Sequence, residues 1–313
     1  MVKNTIFAQN IVPMLRREEI KNIAYRVGFD LCGVAKCQEF ADDKAFLEQW
    51  IERGFSSTLG YMERNIDKRA DARLLVEGAK SVIVCGVAYK NQFSEGYSND
   101  CNQKIASYAL CHDYHKTIKQ MLKQLCSTLK EVEPTLSGRV FTDSAPVFEK
   151  RYAVEAGLGW IGRQSLLVTP QFGTFVLLGV AIVDCECDSY DSPLQGVGCG
   201  NCHRCIDACP NGAIINHHID TRRCISRMTI EEADNNTLPL HGWIFGCDNC
   251  QSCCPYNHRA PMATNPQFTP LFNPQTIDWQ KIDEAEFSLH FATTPLSRSS
   301  LSRLRENIIS NEG

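Results

Sequence analysis

Hydrophobic and polar positions along the first 190 residues alternate between the spacing of helices and the spacing of strands. The clearest helical pattern covers residues 113–132, where one apolar face comprises Ile118, Met121, Leu122, Leu125 and Leu129. Two continuous apolar runs, 81–89 and 174–183, contain many β-branched residues and predict buried strands. Further helices are predicted at 17–28, 42–53 and 147–157, and further strands at 31–35 and 138–143. This alternation predicts an α/β or α+β domain with a central sheet.

The composition changes around residues 188–200, where Asp, Ser, Pro and Gly replace the apolar runs. We expect a domain boundary there, with a first domain over 1–190 and a cysteine-rich domain over 191–262. A Pro-rich segment then leads to a final helix near 297–309, so we expect residues 263–313 to form a C-terminal helical extension.

Composition and charge narrow the class of protein. The chain is 43% hydrophobic and 22% charged, as in an ordinary globular protein. No stretch approaches the ~20 apolar residues of a membrane span. The first 26 residues lack the apolar core and cleavage site of a secretion signal, so we expect a cytoplasmic protein. A formal net charge of −4 argues against indiscriminate nucleic-acid binding but leaves room for a local basic patch that meets one RNA.

The chain has seventeen cysteines, and in a reducing compartment these indicate metal or redox chemistry rather than disulfides. A first run has the form C-x2-C-x2-C-x3-C-P and comprises Cys199, Cys202, Cys205 and Cys209. This is the ferredoxin spacing, in which three thiolates hold one 4Fe–4S cube and the fourth ligates its neighbour. We expect Cys209 to stand at the start of a helix, because the following proline fits a first helical turn.

A second run and one isolated cysteine complete the ligand set. The simplest assignment gives the first cluster Cys199, Cys202, Cys205 and Cys254. The second cluster then takes Cys209, Cys224, Cys247 and Cys250. Cys253 is left out, because the Cys-Pro pairing favours Cys254. Zinc sites also use paired C-x2-C motifs, but they seldom contain the x2-x2-x3-Cys-Pro run, so we favour two iron–sulfur clusters.

Two further motifs need a structural interpretation. Gly157, Gly159 and Gly162 match G-x-G-x-x-G, but a helix precedes them and strand-like sequence follows, the reverse of a dinucleotide-binding fingerprint. We expect these glycines to let the backbone pass close to some other large group. Asp113 and Asp143 each precede a predicted helix, so each is a candidate N-cap. Asp143 also follows a strand, where a carboxylate in a cleft can act as an acid catalyst.

Taken together, these residues resemble the epoxyqueuosine reductase family, which performs the last step of queuosine synthesis on tRNA. Besides the first cysteine run, the matching segments are 60–71, 107–116, 141–179, 222–232 and 245–257. The block from TDSAPVFEK to AGLGWIGR makes the match specific, since paired cysteine runs alone would indicate only a ferredoxin-like module.

The resemblance implies an α+β fold, with an N-terminal α/β cobalamin-binding domain and a C-terminal ferredoxin-like domain that holds two 4Fe–4S clusters. A flavodoxin or ferredoxin-type donor would pass electrons through the clusters to cobalt, and the epoxide of the modified base would become an alkene with loss of water. Asp143 stands at the family's acid position, so its pKa must be raised by burial against the corrinoid. Candidate corrinoid contacts, besides Asp143, are Arg64, Tyr108, His115, Gln164, Ser165 and Ser226.

The sequence departs from the family at several positions. Cys111 and His112 stand where members commonly have small and basic residues, and Arg227 and Met228 replace an aromatic and aliphatic pair. The sequence lacks the helical-repeat extension of longer members, so we expect a monomer that binds tRNA with less surface. Candidate phosphate contacts, each otherwise a solvated charge, are Arg222, Arg223, Arg227, Arg298, Arg303 and Arg305.

Three alternatives share part of this pattern. A reductive dehalogenase-like corrinoid enzyme would use the same cofactors, but such enzymes are usually exported and tend to use a tyrosine acid. An iron–sulfur electron carrier would need neither a corrinoid nor Asp143. A zinc-bound nucleic-acid module would be colourless and redox-silent.

Overall fold

The computed structural model describes residues 14–98, 100–215, 217–231 and 238–312. In these ranges the α-helices are α1 (Arg17–Val27), α2 (Ala41–Glu52), α3 (Ile66–Ala70), α4 (Tyr114–Val132), α5 (Glu149–Glu155), α6 (Arg204–Asp207), α7 (Ile225–Ile230), α8 (Asn249–Ser252), α9 (Glu284–Phe291) and α10 (Leu301–Glu312). The strands are β1 (Met14–Leu15), β2 (Leu31–Lys36), β3 (Ser81–Ala88), β4 (Lys104–Ile105), β5 (Gly138–Phe141), β6 (Trp160–Ile161), β7 (Leu167–Val168), β8 (Val176–Val183), β9 (Glu186–Cys187), β10 (Ile214–Ile215), β11 (His218–Ile219) and β12 (Trp243–Phe245).

The first 13 residues, from which part of the prediction about a secretion signal was drawn, lie outside these ranges. Within them, no helix combines the length and the apolar character that a membrane crossing requires.

A four-stranded sheet in the order β2-β3-β8-β5 forms the centre of the N-terminal half. Its two inner strands are the two continuous apolar runs of the sequence, and their prediction as buried strands is confirmed. All three strand pairings are antiparallel, which favours the α+β alternative. The helices predicted at 17–28, 42–53, 113–132 and 147–157 are confirmed with small shifts of their ends.

Helices cover both faces of this sheet. On one face α1 and α4 contribute Ile20, Ile118 and Leu122 to a core that also contains Ile83 of β3. On the other face α5 contributes Tyr152 and Ala153 to a second core. A Cβ at Gly179 of β8 would clash with the side chains of Ile118 and Leu122, so this glycine lets α4 lie close to the sheet.

The G-x-G-x-x-G motif packs against the chain's own backbone, which corrects the expectation of a different large group. The order of elements is as predicted, since α5 precedes the glycines and β6 follows. Gly157 has a φ of +70°, and a Cβ there would lie 2.8 Å from the carbonyl oxygen of Ser192. A Cβ at Gly159 would overlap the carbonyl oxygen of Val168. Side chains are excluded because two backbone segments meet here.

The C-terminal segment and the cysteine-rich segment both pack onto the N-terminal half. Strand β12 pairs in parallel with β4. Trp279, Phe291 and Leu304 share one hydrophobic core with Ile105 and Leu110. The prediction that the final helix begins near residue 297 is wrong: α10 begins at Leu301, because Ser300 accepts a hydrogen bond from the backbone N–H of Arg303 and caps it.

Candidate active site and iron–sulfur centres

Several of the eight predicted ligand cysteines influence the pKa of thiols in their own predicted set. Burial raises the pKa of Cys205, and the neighbouring thiols of Cys199 and Cys254 raise it further. Burial likewise raises the pKa of Cys254, with further contributions from Cys199 and Cys202. The described residues contain no preassembled group of three or more ligands that could hold a metal ion, so the ligand set of the first cluster stays a prediction.

In the second predicted set the thiols also influence one another's pKa. Burial raises the pKa of the Cys250 thiol well above its usual range. The neighbouring thiols of Cys247, Cys224 and Cys209 raise this pKa further. Burial also dominates the raised pKa of Cys224 and of Cys247, and Cys209 is a neighbour of both. These four cysteines are half-buried, and their assignment to the second cluster stays a prediction.

Cys253 borders the first group. Its thiol donates a hydrogen bond to the carbonyl oxygen of Cys250 at 3.6 Å. Burial raises its pKa to about 11, and the thiols of Cys205, Cys254 and Cys202 contribute. The choice of Cys254 over Cys253 as a ligand therefore stays a prediction.

The prediction that Cys209 starts a helix is wrong. Helix α6 ends at Asp207, and the chain turns after Cys209 because Gly212 adopts a φ of +58°. The backbone N–H of Ala213 then reaches the Cys209 sulfur at 3.2 Å. The second Cys-Pro pair behaves as expected, since Pro255 opens a 3-10 turn directly after Cys254.

Short polar contacts join the cysteine groups to the N-terminal half. Arg163 donates hydrogen bonds to the carbonyl oxygens of Cys202 and Gly200, both at 2.9 Å. Asp248 accepts a hydrogen bond from the backbone N–H of Ser107 at 2.7 Å, and burial raises the pKa of its carboxyl to about 6. The cysteine loops are thereby fixed beside two segments that contain predicted corrinoid contacts.

Asp143 is the centre of a polar network. Its backbone is left-handed, with a φ of +57°. Its Oδ2 atom accepts a hydrogen bond from the Tyr114 hydroxyl at 2.7 Å and lies 3.1 Å from Nε2 of His115. Its backbone N–H donates to Oε1 of Glu149 at 2.9 Å. The N-cap interpretation of Asp143 is wrong, because α5 begins six residues later at Glu149.

Asp113 does cap a helix, as predicted, and it also orients the neighbouring histidine. Its Oδ1 atom accepts from the backbone N–H of His115 at 3.1 Å and lies 2.8 Å from Nδ1 of the His115 ring. The imidazole is therefore held between two carboxylates, Asp113 on one side and Asp143 on the other. Such a pair of contacts fixes the ring and favours its protonated form.

The protein alone does not raise the pKa of Asp143, which corrects the expectation from the sequence. Burial raises this pKa, but the hydrogen bonds from His115 and Tyr114 and the charges of His115 and Arg298 outweigh burial and leave it below its usual value. Burial lowers the pKa of His115, and its contacts with Asp113 and Asp143 raise it above the usual value. Burial and the charge of Asp143 raise the pKa of Glu149 to about 8. Protons near neutral pH are therefore held by the neighbours of Asp143.

The carboxylate of Asp143 is largely exposed, although several other side chains lie close enough for their pKa to respond to its charge. Its side chain is 61% exposed, yet burial is the largest influence on its pKa. Burial has the larger effect on the pKa of Tyr61, Arg69 and Tyr108, and the charge of Asp143 acts to raise all three. Lys150 also feels it and donates from Nζ to the carbonyl oxygen of Ser165 at 2.6 Å. Residues from five separate segments of the chain thus surround one acidic group.

The predicted corrinoid contacts are only partly brought together. Tyr108 and His115 lie beside Asp143, since both feel its charge. Ser226 lies beside the second thiol group, because its backbone N–H hydrogen-bonds Cys224. Gln164 is buried, and a Cβ at Gly162 would clash with its Oε1 atom.

The other two candidates point elsewhere in the described chain. The Ser165 hydroxyl donates to the carbonyl oxygen of His217 at 2.9 Å. Arg64 is exposed on the turn before α3.

Sequence analysis missed Tyr61, Arg69, Tyr114, Glu149 and Lys150 as members of the site. Tyr114, Glu149 and Lys150 lie inside the quoted family blocks, and Tyr61 and Arg69 flank Arg64 in another block. Their closeness in sequence to Asp143, His115 or Arg64 could have identified them as site residues. Burial and the charges of Glu231 and Asp143 raise the pKa of Tyr61 to about 12, which identifies it as part of the candidate active site.

Several arginines predicted to contact phosphates have structural partners instead. Arg227 is buried and donates to the carbonyl oxygens of Thr221 and Arg222. Arg303 donates to the carbonyl oxygen of Met228 at 2.6 Å, and Arg305 to that of Trp279 at 2.9 Å.

Of the other three arginines, two are exposed and the third contacts the candidate active site. Arg222 and Arg223 are exposed, and Arg222 is paired with Asp220. Arg298 contacts His115 within the candidate active site.

The ferredoxin spacing of the cysteines and the network at Asp143 are the features expected of an iron–sulfur oxidoreductase. A family model described as "4Fe-4S double cluster binding domain" matches residues 198–257, so the chain has a domain of this kind. A model described as "Epoxyqueuosine reductase QueG, DUF1730" matches residues 69–144. Epoxyqueuosine reductase from Cyclobacterium marinum is 39% identical over 294 residues, covering 92% of this chain and 94% of that protein. The chain belongs to the epoxyqueuosine reductase family.

Solved structures agree with this assignment. The chain is similar to epoxyqueuosine reductase from Streptococcus thermophilus, with 27% identity and a TM-score of 0.82 over 94% of this chain and 80% of that one. It is similar at 25% identity and a TM-score of 0.83 to an epoxyqueuosine reductase solved with an epoxyqueuosine-modified tRNA stem loop, with the same coverage. The expected fold class, α+β with a C-terminal double-cluster domain, is confirmed.

Proposed function

We propose that this chain reduces epoxyqueuosine to queuosine in tRNA. The network around Asp143 is the observation that carries the proposal, because it holds an exposed carboxyl between a tyrosine hydroxyl and a histidine, where it can deliver a proton. Relatives with this activity in their names align over nearly the whole chain, which supports the same substrate. An iron–sulfur electron carrier would have no use for such an acid.

We assign the first cluster to Cys199, Cys202, Cys205 and Cys254, and the second to Cys209, Cys224, Cys247 and Cys250. The mutual influence of the thiols within each group supports this partition. Four thiols would hold either one zinc ion or one cluster of four irons, so measuring the metal content distinguishes the two.

The surroundings of Asp143 suit cobalamin. Nε of Arg69 is buried and has no hydrogen-bond partner among the residues that the structure describes. An unsatisfied buried donor requires a partner, and the amide groups around a corrin ring would supply one. We propose that Tyr108, His115 and Asp143 line this cofactor, whereas Arg64, Gln164, Ser165 and Ser226 stay predictions from the sequence. When bound, cobalamin supplies a strongly reducing cobalt centre that accepts single electrons.

Removal of the epoxide oxygen as water consumes two electrons and two protons. An alkoxide is a poor leaving group, so a proton must reach the oxygen as the C–O bond breaks. We propose that Asp143 delivers this proton and that His115 and Tyr114 hold the carboxyl in position. A Bacillus subtilis relative has a structure described with an aspartate catalytic loop swung out of the active site, which supports a catalytic role for an aspartate on a loop.

Electrons would enter through the first thiol group. A surface cavity of about 410 Å³ lies at Cys202, and its lining includes His203, Arg204 and one carboxylate, Asp207. Arg163 nearby bonds carbonyl oxygens, so its charge is not neutralised by these contacts. A positively charged surface suits a small acidic carrier such as flavodoxin or ferredoxin. We further propose that the protein acts as a monomer in the cytoplasm, where tRNA is modified.

The decisive experiment is mass spectrometry of purified substrate tRNA after reaction with the anaerobic, cobalamin-supplied protein and a chemical reductant. Conversion of epoxyqueuosine to queuosine is expected. A protein that holds iron and cobalamin but leaves epoxyqueuosine unchanged would favour the dehalogenase-like alternative, for which a halogenated aromatic substrate is the companion assay. A colourless zinc protein would exclude both.

A further inference from the structure

Helix α4 carries a set of three lysines that form no salt bridge with any residue that the structure describes. Lys116, Lys119 and Lys123 recur at intervals of three and four residues, so they lie on one face, opposite the buried Ile118 and Leu122. In the described part of the chain none of these lysines forms a salt bridge, although the whole protein has a net charge of −4. Uncompensated cations on an otherwise acidic protein indicate an anionic partner.

The three lysines line one cavity together with Arg298. This cavity has a volume of about 710 Å³, and its wall includes a single acidic residue, Asp113, among the residues that the structure places there. The Asp113 carboxylate already contacts the His115 ring, with Oδ1 2.8 Å from Nδ1. The cavity therefore keeps a clear excess of positive charge.

The cavity opens beside the proposed acid catalyst. Nζ of Lys119 lies 3.4 Å from the hydroxyl of Ser144, the residue that follows Asp143. His115 contacts both Asp143 and Arg298, so the catalytic network and the cavity share a wall. A ligand that places a reacting base at Asp143 would bring the groups next to that base into this cavity.

We infer that the lysine face of α4 binds the RNA backbone phosphates that flank the modified nucleotide. This inference rests on the proposed function for its substrate, tRNA. Lys116 and Lys123 are seven residues apart and thus separated by roughly 10 Å along the helix, which exceeds the size of one phosphodiester. A run of phosphates fits this length, whereas cobalamin carries one phosphodiester. Lysine suits such a role because it binds phosphates as a point charge without base specificity.

The test measures binding of the anticodon stem loop by fluorescence anisotropy across a series of salt concentrations. The variant is K116Q/K119Q/K123Q in the full chain with its cofactors bound. Each lost phosphate contact should lower the slope of log Kd against log salt by about 0.7 for single-stranded RNA, so a total decrease of roughly 2 is expected. Affinity at low salt should fall about tenfold or more. The matched control K36Q/K130Q/K281Q removes three exposed lysines outside the cavity and should keep the wild-type slope.

Two further readouts make the result decisive. Stem loops with epoxyqueuosine and with unmodified guanosine should lose affinity to the same extent, because the lysines contact the backbone. Cobalamin binding, followed by its visible spectrum, should be unchanged. An unchanged salt slope overturns the inference, and loss of cobalamin binding with unchanged RNA binding assigns the cavity to the cofactor's phosphodiester. A protein that binds RNA through these lysines but does not reduce epoxyqueuosine would leave the inference intact and refute the proposed function.

Discussion

Nη1 of Arg298 lies 2.6 Å from Nε2 of His115, although 183 residues separate them in the chain. A guanidinium N–H can only donate, so this contact favours an Nε2 atom that offers its lone pair. The same Nε2 atom lies 3.1 Å from the Asp143 carboxylate. Arg298 and Asp143 thus contact the same ring nitrogen, and the charge of Arg298 lowers the pKa of both His115 and Asp143. The C-terminal segment thus takes part in the acid site.

Replacing Arg298 by Gln should move the basic limb of the pH–rate profile upward. The charge of Arg298 lowers the pKa of both His115 and Asp143, so its removal raises both. A group with a higher pKa keeps its proton to higher pH, and a shift of about one unit is expected from a charge at this distance. Single-turnover rates with an epoxyqueuosine stem loop over roughly pH 5.5 to 9 measure this shift, because that range covers the titration of a histidine.

Two companion variants separate this effect from a general loss of charge. Arg298→Lys keeps the positive charge and should restore the wild-type profile more closely than Arg298→Gln. Arg26→Gln removes an exposed arginine from the last turn of α1 and should leave the profile unchanged. A profile that is identical in wild type and Arg298→Gln would show that Arg298 does not set the protonation of this pair.

Asp143→Asn should lose turnover while it keeps both clusters. The amide fills the same space but cannot donate an acidic proton, and general acid catalysis contributes roughly 10²–10⁴ in rate. Single-turnover conversion should fall by about that factor, with iron content and cobalamin binding unchanged. Asp42→Asn, on an exposed position in the first turn of α2, is the control. Wild-type turnover by Asp143→Asn would assign the proton to another group, with Glu149 as the next candidate.

Local patterns predicted the elements of this fold well, because they depend on short-range periodicity. The buried face of α4 and the two inner strands of the sheet follow directly from the spacing of apolar residues. The order of the strands does not follow from local spacing, because β3 pairs antiparallel with β8 across a long stretch of chain. Ser81, for example, lies opposite Val183. No local pattern records such a pairing.

The site shows the same division. The cysteine spacing is local and predicted the double-cluster domain, whereas the contact of Arg298 with His115 depends on how the C-terminal segment packs. Sequence reasoning placed Arg298 on a phosphate surface for that reason. It also assigned a raised pKa to Asp143, because the hydrogen bonds from Tyr114 and His115 depend on the left-handed turn after β5.

Cys209→Ser and Cys253→Ser should affect the iron content differently. A protein with two cubes holds about eight irons, and loss of one cube leaves about four. Cys209 belongs to the second thiol group, so its replacement should remove mainly that cluster. Cys253 donates to a backbone carbonyl, so its replacement should keep about eight irons. Iron analysis and low-temperature electron paramagnetic resonance of anaerobic protein measure both, and equal losses in the two variants would contradict the partition.

Glu149→Gln should make the stability of the protein less dependent on pH. Burial, followed by the charge of Asp143, raises the pKa of Glu149 from 4.5 to about 8, so the folded state binds this proton more tightly than the unfolded state. The stability that this carboxyl contributes is therefore complete below pH 4.5 and is lost as the pH rises through about 8. Glutamine resembles the protonated form at every pH and keeps an oxygen that can accept from the N–H of Asp143.

The melting temperature of Glu149→Gln should match the wild type near the acidic end of this window and exceed it near the basic end. Thermal unfolding of the anaerobic protein, followed at several pH values across the window, measures the difference. Glu52→Gln, at an exposed position in α2, should follow the wild-type curve throughout. Parallel curves for Glu149→Gln and wild type would mean that Glu149 is ionised in the folded protein, and the proton near Asp143 would then belong to His115.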